Sequence, residues 1–166
     1  MNSQFEQGLD RDIAGSIFIK TLDGWILDSM FGYAEEVLVQ KDFKLSGVDI
    51  PVGAYRGPRG YIALLSPYAG SRWDFRTIYA YYGGFFGGTN HTVSPTIRLS
   101  LSRHIRLTTD YTYSRFTLPN RKDNTDGSVG IYQGSEQAVN GGLVITPNVN
   151  TQIDLVGQLN TQANSE

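Results

Sequence analysis

The feature that most constrains this chain is a period-two alternation of apolar and polar residues that repeats from about Ile13 to Gln162. In an extended strand successive side chains point to opposite faces, so each alternating run gives a two-faced strand. The connections between runs alternate in length. Asp23-Gly24, residues 67–70, Arg103-His104 and residues 147–150 are short. Residues 34–53 and 119–135 are long, and residues 84–91 are intermediate. Short turns on one side and long loops on the other are the layout of an antiparallel up-and-down meander, and of transmembrane β-barrels in particular. The expected fold is all-β: an antiparallel up-and-down meander of about eight long strands, forming a transmembrane β-barrel.

The runs assign faces residue by residue. In residues 72–82, Trp73, Phe75, Thr77, Tyr79 and Tyr81 share one face against Asp74, Arg76 and Ile78. In 92–102, Val93, Pro95, Ile97, Leu99 and Leu101 oppose Thr96, Arg98, Ser100 and Ser102. In 105–117, Ile105, Leu107, Thr109, Tyr111 and Tyr113 oppose Arg106, Thr108, Asp110, Thr112 and Ser114. Val139, Gly141, Leu143 and Ile145 share a face, and Ile153, Leu155, Gly157 and Leu159 oppose Gln152, Asp154, Gln158 and Asn160. Asp23-Gly24 reads as a two-residue hairpin turn, Gly57-Pro58 as a bulge or bend in the strand over 54–66, and residues 35–53 as a loop with local structure. Residues 1–11 are expected to be disordered, 12–162 to form the barrel region, and 163–166 a tail.

Alternation does not say which face is wet. The alternative is a soluble β-sandwich or small β-barrel that buries Leu99, Leu107, Leu143 and Leu155 and binds a ligand, such as a glycan, through exposed aromatics. Strand length favours the membrane, because about ten residues cross a bilayer at a tilt whereas globular strands average about five or six. Aromatics also gather towards one end of the strands: Tyr79, Tyr81 and Tyr82 lie beside Phe85-Phe86, and Tyr111 and Tyr113 beside Phe116. Trp73, Phe75, Tyr79, Tyr81, Tyr111 and Tyr113 are the candidates for an interfacial aromatic girdle. The polar-face charges Asp74, Arg76, Arg98, Arg106, Asp110 and Asp154 would face the lumen, where an internal network of ion pairs and hydrogen bonds is expected.

Composition narrows the chemistry. The net charge is −2, which gives no electrostatic support to a nucleic-acid partner. There are no cysteines, so disulfides and thiolate-bound metals are excluded. No run of about 18 apolar residues suggests a transmembrane helix, and the start of the chain lacks the basic and apolar regions of a signal peptide. His91 and His104, the two histidines, lack a carboxylate at ligand spacing and are expected in exposed connections. Asp123-Asn124-Thr125-Asp126-Gly127 fails as an EF-hand, since Lys122 and Gln133 stand where acids are needed. Residues 83–88 lack the Lys-Ser/Thr of a phosphate-binding loop, and Phe85 and Phe86 are expected at the interface or on a partner. Asn90-His91-Thr92 matches the glycosylation pattern and is given no weight. No catalytic arrangement is identifiable, so the chain is expected to be non-enzymatic, with no cofactor.

An ordered set of segments resembles a known family. Val48-Asp49-Ile50-Pro51-Val52-Gly53-Ala54-Tyr55 leads into a long strand, and Gly83-Gly84-Phe85-Phe86-Gly87-Gly88 forms a loop. Arg98-Leu99-Ser100-Leu101-Ser102-Arg103-His104-Ile105 makes a hairpin, followed by Tyr111-Thr112-Tyr113-Ser114-Arg115-Phe116-Thr117-Leu118-Pro119. Ile145-Thr146-Pro147-Asn148 and Gln158-Leu159-Asn160-Thr161 complete it. Together they resemble the C-terminal region of the outer-membrane barrel domain of unknown function numbered 5916. That domain follows a carbohydrate-binding module of family nine type and is common in Bacteroidetes and related Gram-negative bacteria. The resemblance covers about residues 31–161. It implies a bacterial outer-membrane location, lipid as the partner, and a role as anchor or pore of a carbohydrate-related surface or periplasmic protein. Carbohydrate would then be a partner through a domain outside this chain. Two departures stand out: Asn120-Arg121-Lys122 replaces a Gly-Asp-like pair after Leu118-Pro119, and the chain stops at Ala163-Asn164-Ser165-Glu166 where the family continues. The expectation is therefore a fragment of a larger barrel.

Overall fold

The structure, a computed structural model, describes residues 11–39, 43–45, 47–67, 72–120, 130–148 and 151–165. The chain forms β1 (Arg11–Lys20), β2 (Ile26–Leu38), β3 (Lys44–Leu45), β4 (Val48–Asp49), β5 (Gly53–Leu65), β6 (Trp73–Phe85), β7 (Gly88–Ser102), β8 (Ile105–Asn120), β9 (Gly130–Asn148) and β10 (Thr151–Ser165). Eight of these strands make one antiparallel meander in the order β1-β2-β5-β6-β7-β8-β9-β10, while β3 and β4 form a separate two-stranded hairpin. Among the described residues β1 pairs only with β2 and β10 only with β9, so the sheet is open and both outer strands are edges.

Several connections differ from the sequence reading. The first hairpin turns over three residues, Leu22, Asp23 and Gly24, not two. The Gly24 N–H donates to the Thr21 carbonyl at 3.1 Å and the Thr21 N–H to the Trp25 carbonyl at 2.9 Å. Gly24 sits at φ +93°, the left-handed third position that such a loop reserves for glycine. The expected intermediate loop at residues 84–91 is instead a two-residue turn, Phe86-Gly87, closing the Phe85–Gly88 pair. Both turn residues have positive φ, at 46° and 86°, as the tight hairpin turn whose twist matches the strands demands. The long connection expected over residues 119–135 shortens because β8 runs to Asn120 and β9 starts at Gly130. At the chain ends, Arg11 belongs to β1, and β10 runs to Ser165, past the expected end at Gln162.

Two further corrections concern register. Gly57-Pro58 does not bulge β5, which pairs with β2 without a break from Leu65 to Gly53. It marks where the β5–β6 ladder ends, at Arg59 opposite Tyr82. A Cβ on Gly57 would lie 2.0 Å from the Gly83 carbonyl oxygen, so the two backbones meet there at a distance only glycine permits. Leu101 is the extra residue in a bulge between Ser100 and Ser102, which puts Ser102 opposite Ile105 and not on the polar face. One residue of slip reverses the faces.

The buried core is small and lies at one end. Val48, Ile50, Phe86, Phe116, Leu118 and Tyr132 form it, with Leu38, Phe43, Leu45, Tyr55 and Phe85 packed around them. The β3–β4 hairpin supplies Val48, so residues 35–53, read as an irregular loop, contain the end of β2 and an apolar hairpin that folds over the sheet. Gly47, at φ +85°, makes the turn of that hairpin.

Candidate functional site

Tracing the pairings across the sheet assigns every strand residue to one of two faces, because residues directly opposite in an antiparallel ladder share a face. One row reads Ile17, Ser29, Ile62, Tyr79, Val93, Tyr113, Gln137 and Thr161 from β1 to β10. Another reads Trp73, Leu99, Leu107, Leu143 and Leu155 from β6 to β10. Ile13, Ile19, Leu27, Phe31, Tyr33, Leu64, Phe75, Ile97, Val139, Ile145, Ile153 and Leu159 fall on the same face by the same ladders. The result is one apolar surface crossing all eight strands, and it is open: Ile13 is 83% exposed, Leu155 56% and Trp73 51%. Leu118, in the small core, is 1% exposed.

The opposite face is polar over most of its area. Thr92 and Ser114 share a hydroxyl hydrogen bond of 2.9 Å, and Ser94 and Thr112 one of 3.2 Å. On the β1–β6 side Tyr61 donates to Asp28 at 3.0 Å and Tyr82 to Glu36 at 3.1 Å, while Arg59 pairs with Asp12. These partners lie 33 to 47 residues apart in sequence, so strand alternation gave no hint of which would meet. At the end bearing the Phe86-Gly87 turn, this face becomes apolar and meets the β3–β4 hairpin. Phe43 and Tyr55 both lie 5.5 Å from the Phe86 ring, and Phe116 lies 6.2 Å from Tyr132.

All six girdle candidates, Trp73, Phe75, Tyr79, Tyr81, Tyr111 and Tyr113, lie on the apolar face. Their distribution differs from the expected single bunch. Trp73 and Phe75 stand at the short-turn end of the face, and Tyr79, Tyr81 and Tyr113 stand towards the other, joined by Phe31 and Tyr33. From Trp73 to Tyr81 is eight residues, about 26 Å at about 3.3 Å per residue. Tyr82 and Phe116, grouped with them in the sequence reading, point to the polar face. Phe85 and Phe86 are not at an outer surface, since Phe86 is buried in the core and Phe85 packs against it.

The six charges Asp74, Arg76, Arg98, Arg106, Asp110 and Asp154 all lie on the polar face. The expected ion-pair network among them does not form. Asp74 and Arg98 are direct cross-strand partners, yet the ion pairs among the described residues are Lys44–Asp49, Arg56–Glu35 and Arg59–Asp12. His91 is not in a connection: it lies within β7 on the apolar face, 2.8 Å from the Tyr79 hydroxyl and 4.9 Å from the Tyr81 ring. His104 does occupy a turn. Asp123 to Gly127 lie outside the described residues. Among the described residues no three His, Cys, Asp or Glu side chains cluster at metal-binding distance, and no helix is long and apolar enough to cross a membrane. No family model, curated protein or solved structure matches this chain.

Proposed function

We propose that this chain is a region of a bacterial outer-membrane β-barrel, acting as a non-enzymatic membrane anchor or pore. The observation that carries the reading is the continuous exposed apolar face, backed by a face of hydroxyls, amides and charges. In water such a face is costly. Apolar area stabilises by about 25 cal/mol per Å² when removed from solvent, so this set of half-exposed side chains forgoes on the order of 20 kcal/mol. That exceeds the ~5–15 kcal/mol net stability of an ordinary domain. Lipid hydrocarbon would cover the same face at no such cost.

Strand dimensions support the same reading. The strands from β5 to β10 run from 13 to 19 residues, enough to cross hydrocarbon at a tilt, which takes about 9–11. The aromatic-to-aromatic span on β6, about 26 Å along the strand, covers about 20 Å of membrane at a ~40° tilt and fits within the ~25 Å apolar band of such barrels. In this reading the polar face lines the interior and the β3–β4 hairpin narrows it at the end opposite the short turns. The link to a carbohydrate-related surface or periplasmic protein rests on the family resemblance alone.

The test is solubility and far-ultraviolet circular dichroism of the full chain in plain buffer and after transfer to nonionic detergent micelles. A β spectrum that develops only with detergent is expected. A monodisperse, folded monomer in plain buffer would overturn the reading.

A further inference from the structure

At the short-turn end, a cleft of about 350 Å³ opens beside the β7–β8 turn, lined by Arg72, Arg103 and Arg106 with Ser100, Ser102 and His104. The backbone brings these groups together from three segments. The Ser100 N–H donates to the Arg72 carbonyl at 2.6 Å, which ties the approach to β6 onto β7. Arg106 stands directly opposite Ser100 across the β7–β8 ladder. The His104 N–H donates to Ser102 Oγ at 3.1 Å, leaving that hydroxyl's own hydrogen to point elsewhere. His104 Nδ1 lies 2.7 Å from the Thr146 carbonyl, so it carries the ring hydrogen, and Nε2 accepts from Arg103 Nε at 2.9 Å. The terminal nitrogens of Arg103 are thereby held in one orientation with their hydrogens free to donate.

Among the described residues no carboxylate lines the cleft. Among the described residues Arg72, Arg103 and Arg106 have no ion-pair partner. The acids on flanking strands lie outside the cleft lining: Asp74 stands opposite Arg98 on the β6–β7 ladder, and Asp154 accepts from Gln152 at 2.9 and 3.0 Å. The whole chain carries a net charge of −2, so three uncompensated arginines at one cleft run against its composition. Like charges held side by side destabilise a sheet, and a bound anion removes that cost. Guanidinium groups match an oxyanion with paired, charge-assisted hydrogen bonds, and the volume lies in the range of small-ligand sites.

We propose that this cleft binds a phosphate group, from free phosphate or from an anionic lipid headgroup, through Arg72, Arg103 and Arg106. The test is phosphorus NMR titration of the full chain in dodecyl maltoside micelles, first with inorganic phosphate and then with phosphatidylglycerol against phosphatidylcholine. The triple variant R72Q/R103Q/R106Q is compared with R115Q, whose arginine lies outside the cleft and binds Gln133 at 3.0 Å. Circular dichroism checks that each variant keeps its β spectrum. Saturable phosphate binding, weakened about tenfold or more in the triple variant and unchanged in R115Q, identifies free phosphate as the ligand. Broadening specific to phosphatidylglycerol that the triple variant loses identifies the headgroup. Equal binding by the wild type and the triple variant, an equal loss in R115Q, or no binding of either probe would overturn the proposal.

Discussion

At the residue scale, the positions that hold this fold are those where backbone geometry and burial compete. Phe86 has φ 46°, a left-handed conformation that costs a non-glycine residue about 1–2 kcal/mol. It persists because its ring is buried among Phe43, Tyr55 and Phe85, and burying an aromatic is worth more. F86A keeps the backbone strain and loses the ring, so it should lower stability by about 3 kcal/mol, read as the urea midpoint in detergent. Gly57 presents the opposite case. Its missing side chain admits the Gly83 carbonyl, so G57V should cost about 1–3 kcal/mol by overpacking. A G57V midpoint equal to wild type would mean that β5 and β6 do not approach as described. Neither role was legible in the sequence. Gly57-Pro58 read as a bend and Phe86 as an outer residue, because each depends on a neighbour remote in sequence.

At the element scale, alternation did most of the work. The faces of β6, β8, β9 and β10 follow from their sequences, since a period of two in a regular ladder leaves no freedom. Face assignment slipped at Ser102, where a bulge adds one residue, and bulges leave no mark in an alternating pattern. The two faces make opposite demands. V139R places a charge on the apolar face, on the row midway between Trp73 and Tyr81, and should cost about 2–4 kcal/mol if that row meets the bilayer midplane. N140R, its neighbour on the polar face, should cost well under 1 kcal/mol by comparison. Equal costs for the two would remove the distinction between faces on which the membrane reading depends. The β3–β4 hairpin is held to the sheet through Val48 and its neighbours in the core. V48D should release it and speed proteolysis near Gly47 while the eight-stranded sheet keeps its spectrum.

At the scale of the whole molecule, the open sheet and the exposed apolar face dominate. Trp73 lies on that face in β6, and Trp25 flanks the first turn opposite Thr21. In a W25F background, brominated phosphatidylcholine should quench most of the remaining fluorescence, while iodide in the aqueous phase should quench little. The reverse pattern would put Trp73 in water and end the barrel reading. The edges of β1 and β10 carry unpaired backbone groups that hydrocarbon cannot satisfy. The isolated chain in micelles should therefore assemble into oligomers or aggregates through those edges, as measured by light scattering. A strictly monomeric species would require the edges to be satisfied within one chain.

From the sequence by itself came the class, the number of long strands, the antiparallel order and the two faces. These follow from local chemistry: side-chain alternation, turn residues and the length of each run. Only the tertiary structure decided where the apolar residues gather and which polar groups meet. It placed the core at one end under the β3–β4 hairpin, linked Tyr61 to Asp28 and Tyr82 to Glu36, and left Asp74 and Arg98 opposite each other without an ion pair. Those outcomes depend on contacts between residues distant along the chain, and no local pattern encodes them. The same limit applies to Arg72, Arg103 and Arg106, which are dispersed in sequence and meet at one cleft only because the strands pair in this register.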